Sequence, residues 1–581
     1  MKSLAATVGA FGLVMWMGSA AADTLDGTGS VSGSVAADQP FRAAKVYLTN
    51  ADRHMTYMVY TNEGQYRAVN LLPGTYDVTV ETPGLMAGPE QVDVGSGTDT
   101  TVDLTLRGVD GEGPAAGNRP AAQDVILVSY DELYPPDPAR ETLEQTCMTC
   151  HGVNWVSQRS GLDEAGWSAL IELMLGLDDS VWGVDTGTPL MPEDIVITPE
   201  QRAELAGYLA RHFGPGTLPR MVRNDEDLPM DEEALGKAMW IEYTVAEPKA
   251  ANGSHRWIQE PYFDLDGHVW YTERTRGAPA ILKLDPRTAT FESFPLPDPG
   301  WNPHGIVVDP FDGSVWWAGR GVDVARLDPT TGETTPYGDT SSPLRWGGHT
   351  PAFDSMGNLW YTMIAADRLG KWDRETNSVR HWDIPTKGGR PYGIAVDQDD
   401  IVWFANFHNC RVTRFDPATE EFTEFVSPSN PCTLRRLGVD SAGTIWYGAF
   451  SKGMLGKLDP ESGEMTEYRI GRFSEPYEAW VDPEDKIWMA DGGQGGMLVR
   501  FDPQTERFTY YPSPTHSDMP KMAITRDGAV WYSNRSIASS GQAPASVGVL
   551  YPDVGRMSTF GAYYEVQDGR AVGSGSPAPL N

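Results

Sequence analysis

Residues 391–405 read P-Y-G-I-A-V-D-Q-D-D-I-V-W-F-A: an apolar run, an aspartate, a turn, then a second apolar run holding Trp403. The second run recurs as G-H-V-W-Y-T at Trp270, G-S-V-W-W-A at Trp316 and G-N-L-W-Y-T at Trp360. It continues as G-T-I-W-Y-G at Trp446, D-K-I-W-M-A at Trp488 and G-A-V-W-Y-S at Trp531. The seven tryptophans lie 42–46 residues apart. About 14 residues after each comes a second signal, L-D-P at 284–286, F-D-P at 415–417 and their equivalents, followed in most units by a strand such as T-E-F or T-E-Y. Four short strands in a unit of this length mark a β-propeller blade. Seven units predict a seven-bladed propeller over residues 237–565, because an open stack would leave sheet edges exposed that a closed ring protects. The stretch W-I-E-Y-T-V (240–245) reads as an outer strand that pairs with the last blade and closes the ring.

The remaining composition suits a multidomain, mainly β chain. It has 581 residues, 40% hydrophobic, with 62 Gly and 44 Pro. The formal charge of −35 argues against nucleic acid or an anionic membrane as partner, since both need basic surface. Met1-Lys2, an apolar stretch from Leu4 to Met17 and A-A-A at 20–22 have the pattern of a signal peptide (1–22). The chain is therefore expected in the periplasm, with no membrane span, since no later run reaches the ~18–20 apolar residues a spanning helix needs.

Residues 23–107 alternate apolar and polar side chains between turns, as in Y-D-V-T-V-E (76–81) and T-V-D-L-T-L (101–106), and predict a small β-sandwich. The segment N-L-L-P-G-T-Y-D-V-T-V (70–80) resembles carboxypeptidase regulatory-like, transthyretin-type domains, which implies an accessory sandwich rather than catalysis. Residues 108–124 have linker composition. Residues 125–214 turn helical. In 198–214, Thr198 is the expected N-cap, Pro199 suits the first turn, Gln201 completes a capping box and Gly214 ends the helix. Met174 falls on an apolar helical face and reads as core. A second, acidic linker covers 215–236, and 566–581 reads as a flexible tail.

Inside the helical region, Cys147-Met148-Thr149-Cys150-His151 has the spacing of c-type haem attachment. Two thiols one helical turn apart can bond both vinyl groups of one porphyrin, with His151 beneath the iron. A structural zinc site would need a second ligand pair, a thioredoxin-like dithiol a βαβ setting, and a bare disulfide gives His151 no role. The region resembles class I cytochrome c domains, which place an M-P in a loop before the last helix. That resemblance implies one covalent haem c, with Cys147 and Cys150 as thioether links and His151 and Met191 as axial ligands. With both axial positions filled, such an iron carries electrons rather than activating oxygen.

The pattern P-x-G-I-x-x-D-x-x-x-x-x-W-[FY]-x, followed by L-D-P-x-T, resembles the streptogramin B (virginiamycin B) lyase propeller family over 237–565. The family's activity implies an acid-x-His and a Glu on one blade, with Mg²⁺ aiding elimination. Here His304 faces Gly319, His349 faces Met363 and Glu273 shares its blade with Gln259, so the lyase machinery does not transfer. Nor is there the repeated tryptophan-docking pattern of quinone-dependent alcohol dehydrogenases. Aligning the units gives two candidate rings at the channel mouth. The first is Gln259, His304, His349, Tyr392, Arg435, Tyr477 and Lys521; the second is Glu273, Gly319, Met363, Asn406, Ala449, Asp491 and Asn534.

From these rings, Tyr392, Arg435, Tyr477, Glu273, Asn406 and Lys521 are expected to contact substrate, and His304 or His349 to act as general base. His304 and His349, with His408, could also hold an additional divalent metal. Cys410 and Cys432, on adjacent blades, are expected to form a disulfide in an exported chain. The functional expectation is a periplasmic haem c oxidoreductase or its subunit, in which the propeller binds a small-molecule substrate and the cytochrome domain passes electrons to a redox partner protein. Two alternatives are a non-catalytic docking platform whose cytochrome serves a partner enzyme, and a C–O lyase.

Overall fold

The computed structural model describes residues 25–108, 126–150, 153–158, 161–175, 196–218, 220–222, 228–247, 249–250, 252–254, 256–341, 347–471, 473–491, 496–515, 521–534, 545–562, 566–567 and 570–571. The expected leader (1–22), most of the first linker, His151 and Met191 lie outside them.

One repeated contact explains the recurring frame. Asp397 sits six residues before Trp403. Its Oδ1 accepts the backbone N–H groups of Asp399 and Ile401, and its Oδ2 accepts the Trp403 indole N–H at 2.8 Å. The same arrangement joins Asp264 to Trp270, Asp354 to Trp360, Asp440 to Trp446 and Asp482 to Trp488, at 2.8–3.0 Å. The second unit departs from it: Ser314 takes the Trp316 indole, while Asp309 pairs with Arg374. Each aspartate thus closes a hairpin turn and anchors the tryptophan that follows.

The tryptophans are at most 2% exposed and pack between sheets: the Trp446 ring centroid, for example, lies 5.8 Å from that of Phe501 on the next sheet and 6.4 Å from that of Tyr468 on its own. Burying a side chain of that size contributes roughly 4–6 kcal/mol by area. The second signal is a turn as well, in which Asp416, Asp459 and Asp502 each accept the N–H two residues on.

Six four-stranded antiparallel sheets result. Their inner strands begin with Ile258–Phe263, Asn302–Val308, Pro351–Phe353, Pro391–Val396, Leu434–Val439 and Trp480–Val481. The expectation of seven blades is corrected here to six found as four-stranded sheets of their own among the described residues. The last set, Met522–Ile524, Val530–Asn534 and Ser546–Tyr551, pairs with Met239–Thr244, and that strand pairs in turn with Met55–Tyr60 of the N-terminal sandwich. One twelve-stranded sheet runs through both regions. An outer propeller edge left bare would expose unpaired backbone groups. Met55–Tyr60 covers it, and Lys45 Nζ adds a bond to the Ser513 carbonyl at 2.8 Å. Met522–Ile524 also neighbours Ile258–Phe263, so the inner strands follow one another round to the first.

Short helices carry a separate core of Leu143, Trp167, Ile171, Leu205, Leu209 and Phe213. The longest are Pro138–Gln145, Glu164–Met174 and Pro199–Phe213. Thr198 caps the last helix in a capping box with Gln201, and Gly214 follows as its C-cap. Met174 is half-buried at the end of its helix rather than deep in the core. Among the described residues, no helix is long and apolar enough to cross a membrane. Cys410 and Cys432 are joined in a disulfide between the fourth and fifth sheets.

Replacing Asp440 by Ala removes both the turn acceptor and the Trp446 partner. Chemical denaturation is expected to show a loss of about 1–3 kcal/mol, the cost of orphaning a buried donor, and Asp397→Ala the same; Asp309→Ala, with no indole to release, should leave tryptophan fluorescence closer to wild type.

Candidate functional site

Four of the inner strands carry an irregularity at one place. Pairing is broken between Ile258 and Pro261, Pro303 and Gly305, Pro391 and Ile394, and Leu434 and Leu437. Such bulges re-aim side chains. The residues re-aimed include Gln259, His304, Tyr392 and Arg435, all members of the first predicted ring. The structure brings that ring together. Gln259 Nε2 lies 2.9 Å from His304 Nε2, and Lys521 Nζ lies 3.1 Å from His304 Nδ1. The His304 and His349 rings lie 3.8 Å apart, tilted by 38°, and His349 lies 4.0 Å from Tyr392. Tyr392 and Tyr477 share a short hydroxyl–hydroxyl bond, and Arg435 Nη1 donates to the Tyr392 hydroxyl at 3.0 Å.

Arg435 is also caged by aromatic faces. Its guanidinium carbon stands 3.9 Å from Phe450, 4.4 Å from Tyr477 and 5.1 Å from Phe407. An arginine held over aromatic rings gains cation–π attraction where water is excluded. Apart from half-buried Arg435, the ring members are 0–5% exposed, so these side chains fill the channel with one another. The mouth is a packed plug rather than an open funnel.

The residue after each ring member does something the frame alignment did not pick out. In the second and fourth sheets it is glycine, and a Cβ at Gly305 would lie 2.4 Å from Pro351, at Gly393 2.6 Å from Arg436. In the first, fifth and sixth sheets it is Glu260, Arg436 and Glu478. Arg436 clasps both Glu260 oxygens at 2.7 and 2.8 Å and reaches Glu478 at 2.9 Å, while Lys521 joins Glu260. Charged residues inside otherwise apolar inner strands were the available signal, because burial at such positions demands a charged partner.

The electrostatics follow from burial. Desolvation, with the neighbouring cations, holds His304 and His349 well below the ordinary imidazole range, so both are neutral. Burial and Arg436 push the Lys521 amine well down. Burial would raise Glu260, but Arg436 and Lys521 overcome it and keep it ionised. For Glu478 burial wins and lifts it to about 7.

The second predicted ring does not converge in this way. Glu273 accepts from Arg256 and Thr275 at 2.7 Å, and burial raises its carboxyl. Asn406 donates to Thr413 at 3.2 Å on its own sheet. Asn534, with Thr515 and Tyr532, serves the buried Glu242. Glu273, Asn406 and Asn534 are thus each held by side chains beside them.

The metal expectation is tested by geometry. The His304 and His349 rings meet at 3.8 Å, and His408, which burial pushes down to about 3, packs near Phe407 instead. Among the described residues the one set of three converging ligand atoms is Asp264, Asp266 and His268. There Asp264 already serves its turn and Trp270, as its counterparts do in four other sheets.

The cysteine motif is better placed. Cys147 lies on the single helical turn Cys147–Cys150, at the margin of the helical core. In that core the Trp167 indole N–H is buried with no hydrogen-bond acceptor among the described residues, a donor that a buried polar group of haem would satisfy. Of the four donors expected to hold a haem, the Cys147 side chain alone lies among the described ones. The turn Cys147–Cys150 packs against Phe450–Lys452 of the propeller, the turn whose Phe450 covers Arg435. Tyr130 stacks on Phe473 at 5.0 Å, and Val153 N–H donates to Glu475, pinning the helical region at the same end of the channel as the plug.

Comparison with known proteins gives two family models. Residues 242–501 match the virginiamycin B lyase family, and residues 28–107 the carboxypeptidase regulatory-like domain. A virginiamycin B lyase of Nocardia farcinica is 27% identical over 138 residues, 24% of this chain and 45% of that protein, so the match spans about half of the relative's length. A streptogramin B lyase structure is 21% identical, covering 54% of this chain and 97% of its own, with a TM-score of 0.47. The virginiamycin B lyase of Staphylococcus aureus is 18% identical, covering 54% and 99%, also at 0.47. The propeller is therefore virginiamycin B lyase-like and the N-terminal domain carboxypeptidase regulatory-like.

Because the folded state holds Glu478's proton to about pH 7 while an unfolded glutamate releases it near pH 4.5, the folded state binds more protons in between. Its contribution to stability falls as pH rises through that window. Glu478→Gln is expected to flatten the stability–pH slope between pH 4.5 and 7 by up to one proton, read from urea midpoints.

Proposed function

We propose that this chain is an exported haem c electron-transfer protein whose propeller mouth receives a small-molecule substrate and whose helical region relays electrons to a periplasmic partner. The observation that carries this reading is the seating of the Cys147–Cys150 turn on Phe450–Lys452, whose Phe450 packs on Arg435 of the ring. Cys147 and Cys150 would bond the porphyrin, and His151 and Met191 would be its axial ligands. When bound, the haem supplies a one-electron couple. The chain's own residues prepare the route to it: aromatic groups run without a gap from Phe450 through Tyr477, Tyr392 and His349 to His304, with centroid separations of 3.8–6.0 Å. His304 and His349, neutral and in contact, are the ring's bases. We further infer that Met522–Ile524, Val530–Asn534, Ser546–Tyr551 and Met239–Thr244 take the seventh blade position, since Met522–Ile524 neighbours the first inner strand.

One observation favours a second reading. The ring side chains fill the channel, which suits a docking platform serving a partner enzyme.

Purified anaerobically from a host that matures cytochromes c, the protein is expected to carry one haem per chain by pyridine haemochrome, lost in Cys147→Ala/Cys150→Ala; absence of haem in the wild type sinks the first reading. Met191→Ala should retain the haem but change its visible spectrum. Candidate substrates are then screened for haem reduction. If His304→Ala/His349→Ala leaves substrate-driven reduction within about twofold of wild type, the docking-platform reading stands instead.

A further inference from the structure

We propose that the N-terminal sandwich acts as a clasp on the propeller: Met55–Tyr60 fastens Met239–Thr244 to the last propeller strands, so that docking of the sandwich and closure of that edge are one event. The inference rests on strand pairing and packing and makes no use of the haem reading.

The composition of Met239–Thr244 is the first sign. Outermost strands of the separate sheets mix charged and apolar residues and face water, as in Thr290–Pro295 (T-F-E-S-F-P), Ser378–Asp383 (S-V-R-H-W-D) and Glu421–Val426 (E-F-T-E-F-V). Charged, half-exposed edges of this kind resist pairing with another strand. Met239–Thr244 holds the same outermost place beside Ser546–Tyr551, yet it reads M-W-I-E-Y-T and is buried from Met239 to Tyr243. Its other edge is taken by Met55–Tyr60, in register from Met239 opposite Val59 to Tyr243 opposite Met55. Met55–Tyr60 (M-T-Y-M-V-Y) is itself buried along its whole length. A strand at the margin of a free-standing antiparallel sandwich commonly keeps one solvated face and alternates accordingly. The two edges complement each other, and neither suits water.

The packing agrees. Val46, Leu48, Tyr57 and Val59 of the sandwich belong to the same buried cluster as Trp531, Tyr532, Val549 and Leu550 of the last propeller strands. The helical region, by contrast, keeps a core of its own. A domain that is merely appended buries its own core.

Three sandwich side chains also reach propeller segments outside Met239–Thr244. The Tyr60 hydroxyl donates to the Pro512 carbonyl at 2.5 Å and Lys45 Nζ to the Ser513 carbonyl at 2.8 Å, both at the end of the sixth sheet. Asn70 Nδ2 lies 3.3 Å from Met557 Sδ, beyond the last strand. Two residues after Ser513, Thr515 donates to Glu242, the one charged side chain of Met239–Thr244 and 2% exposed. Tyr532 and Asn534 of the last strands donate to the same carboxylate at 2.8 Å. Burial raises its carboxyl, and Lys45 of the sandwich is the cation that draws it back down. Undocking the sandwich therefore bares an apolar edge, divides a shared core and takes a cation away from a buried carboxylate in one movement. Each of these is costly by itself.

The test is hydrogen–deuterium exchange of the full-length protein, read by mass spectrometry on peptides covering Met55–Tyr60, Met239–Thr244 and Ser546–Tyr551. The three strands are expected to share one opening equilibrium, with protection that falls together as urea is raised. Wild-type protein in which Met55–Tyr60 opens at a urea concentration that leaves Ser546–Tyr551 protected overturns the proposal, and this readout needs no variant to fold. Lys45→Met and Tyr60→Phe each remove one bond from the sandwich to the propeller and alter no residue of the last strands. Each is expected to speed exchange in Ser546–Tyr551 by the same factor as in Met55–Tyr60, about fivefold for a bond of ordinary strength. Faster exchange confined to Met55–Tyr60 would instead make the sandwich an appended domain with a local contact.

Discussion

The structure depends on a carboxylate that serves two masters. In five of the sheets an aspartate six residues ahead of a tryptophan accepts two backbone N–H groups of its own turn with one oxygen and the indole N–H with the other. Burial makes that indole donor costly to leave unpaired. The turn therefore sets the register of two strands and aims a large apolar group at the next sheet at once. Repeated round the ring, this local bond becomes the adhesive between blades, because each tryptophan is buried only when its neighbour is in place. Among the six separate sheets, the one that departs from it, at Asp309, redirects its carboxylate to Arg374 on the next sheet and so still ties adjacent blades.

The same local logic explains the centre. Bulges in the inner strands turn Gln259, His304, Tyr392 and Arg435 towards the axis, and the residues after them either vanish to glycine or carry charge. Where strands crowd, at Gly305 and Gly393, no side chain fits. Where they do not, Glu260, Arg436 and Glu478 meet across the axis. Removing one member of such a set leaves an uncompensated buried charge, which makes the plug rigid even though the complete set gains little net stability over apolar packing. A rigid plug with neutral histidines is a poor open pocket and a good fixed array of hydrogen bonds.

Much of this was legible in the chain. The tryptophan frame, the Asp-Pro turns, the capped helix at Thr198 and the membership of the first ring all follow from short-range patterns, since each involves residues within a few positions or one repeat of each other. The second ring does not converge as the first does, for a physical reason. Residues three after each tryptophan also lie at strand ends, but Glu273, Asn406 and Asn534 turn to partners such as Arg256, Thr413 and Glu242. Alternation along a strand tells which face a side chain takes, not which partner waits there. Glu260, Arg436 and Glu478 were passed over because their partners lie as far as 261 positions away.

Sequence alone was enough for the repeat, the strand order within each unit, the sandwich ahead of it and the spacing of Cys147 and Cys150, because local hydrogen bonds and hydrophobic periodicity dictate these. Folding in three dimensions decided the rest. It merged the last strand set with the sandwich through Met239–Thr244, filled the channel with its own side chains, and set the Cys147–Cys150 turn on Phe450–Lys452. Those outcomes hang on which edges need covering and which buried charges need partners, and both are properties of surfaces that exist only once distant segments have met.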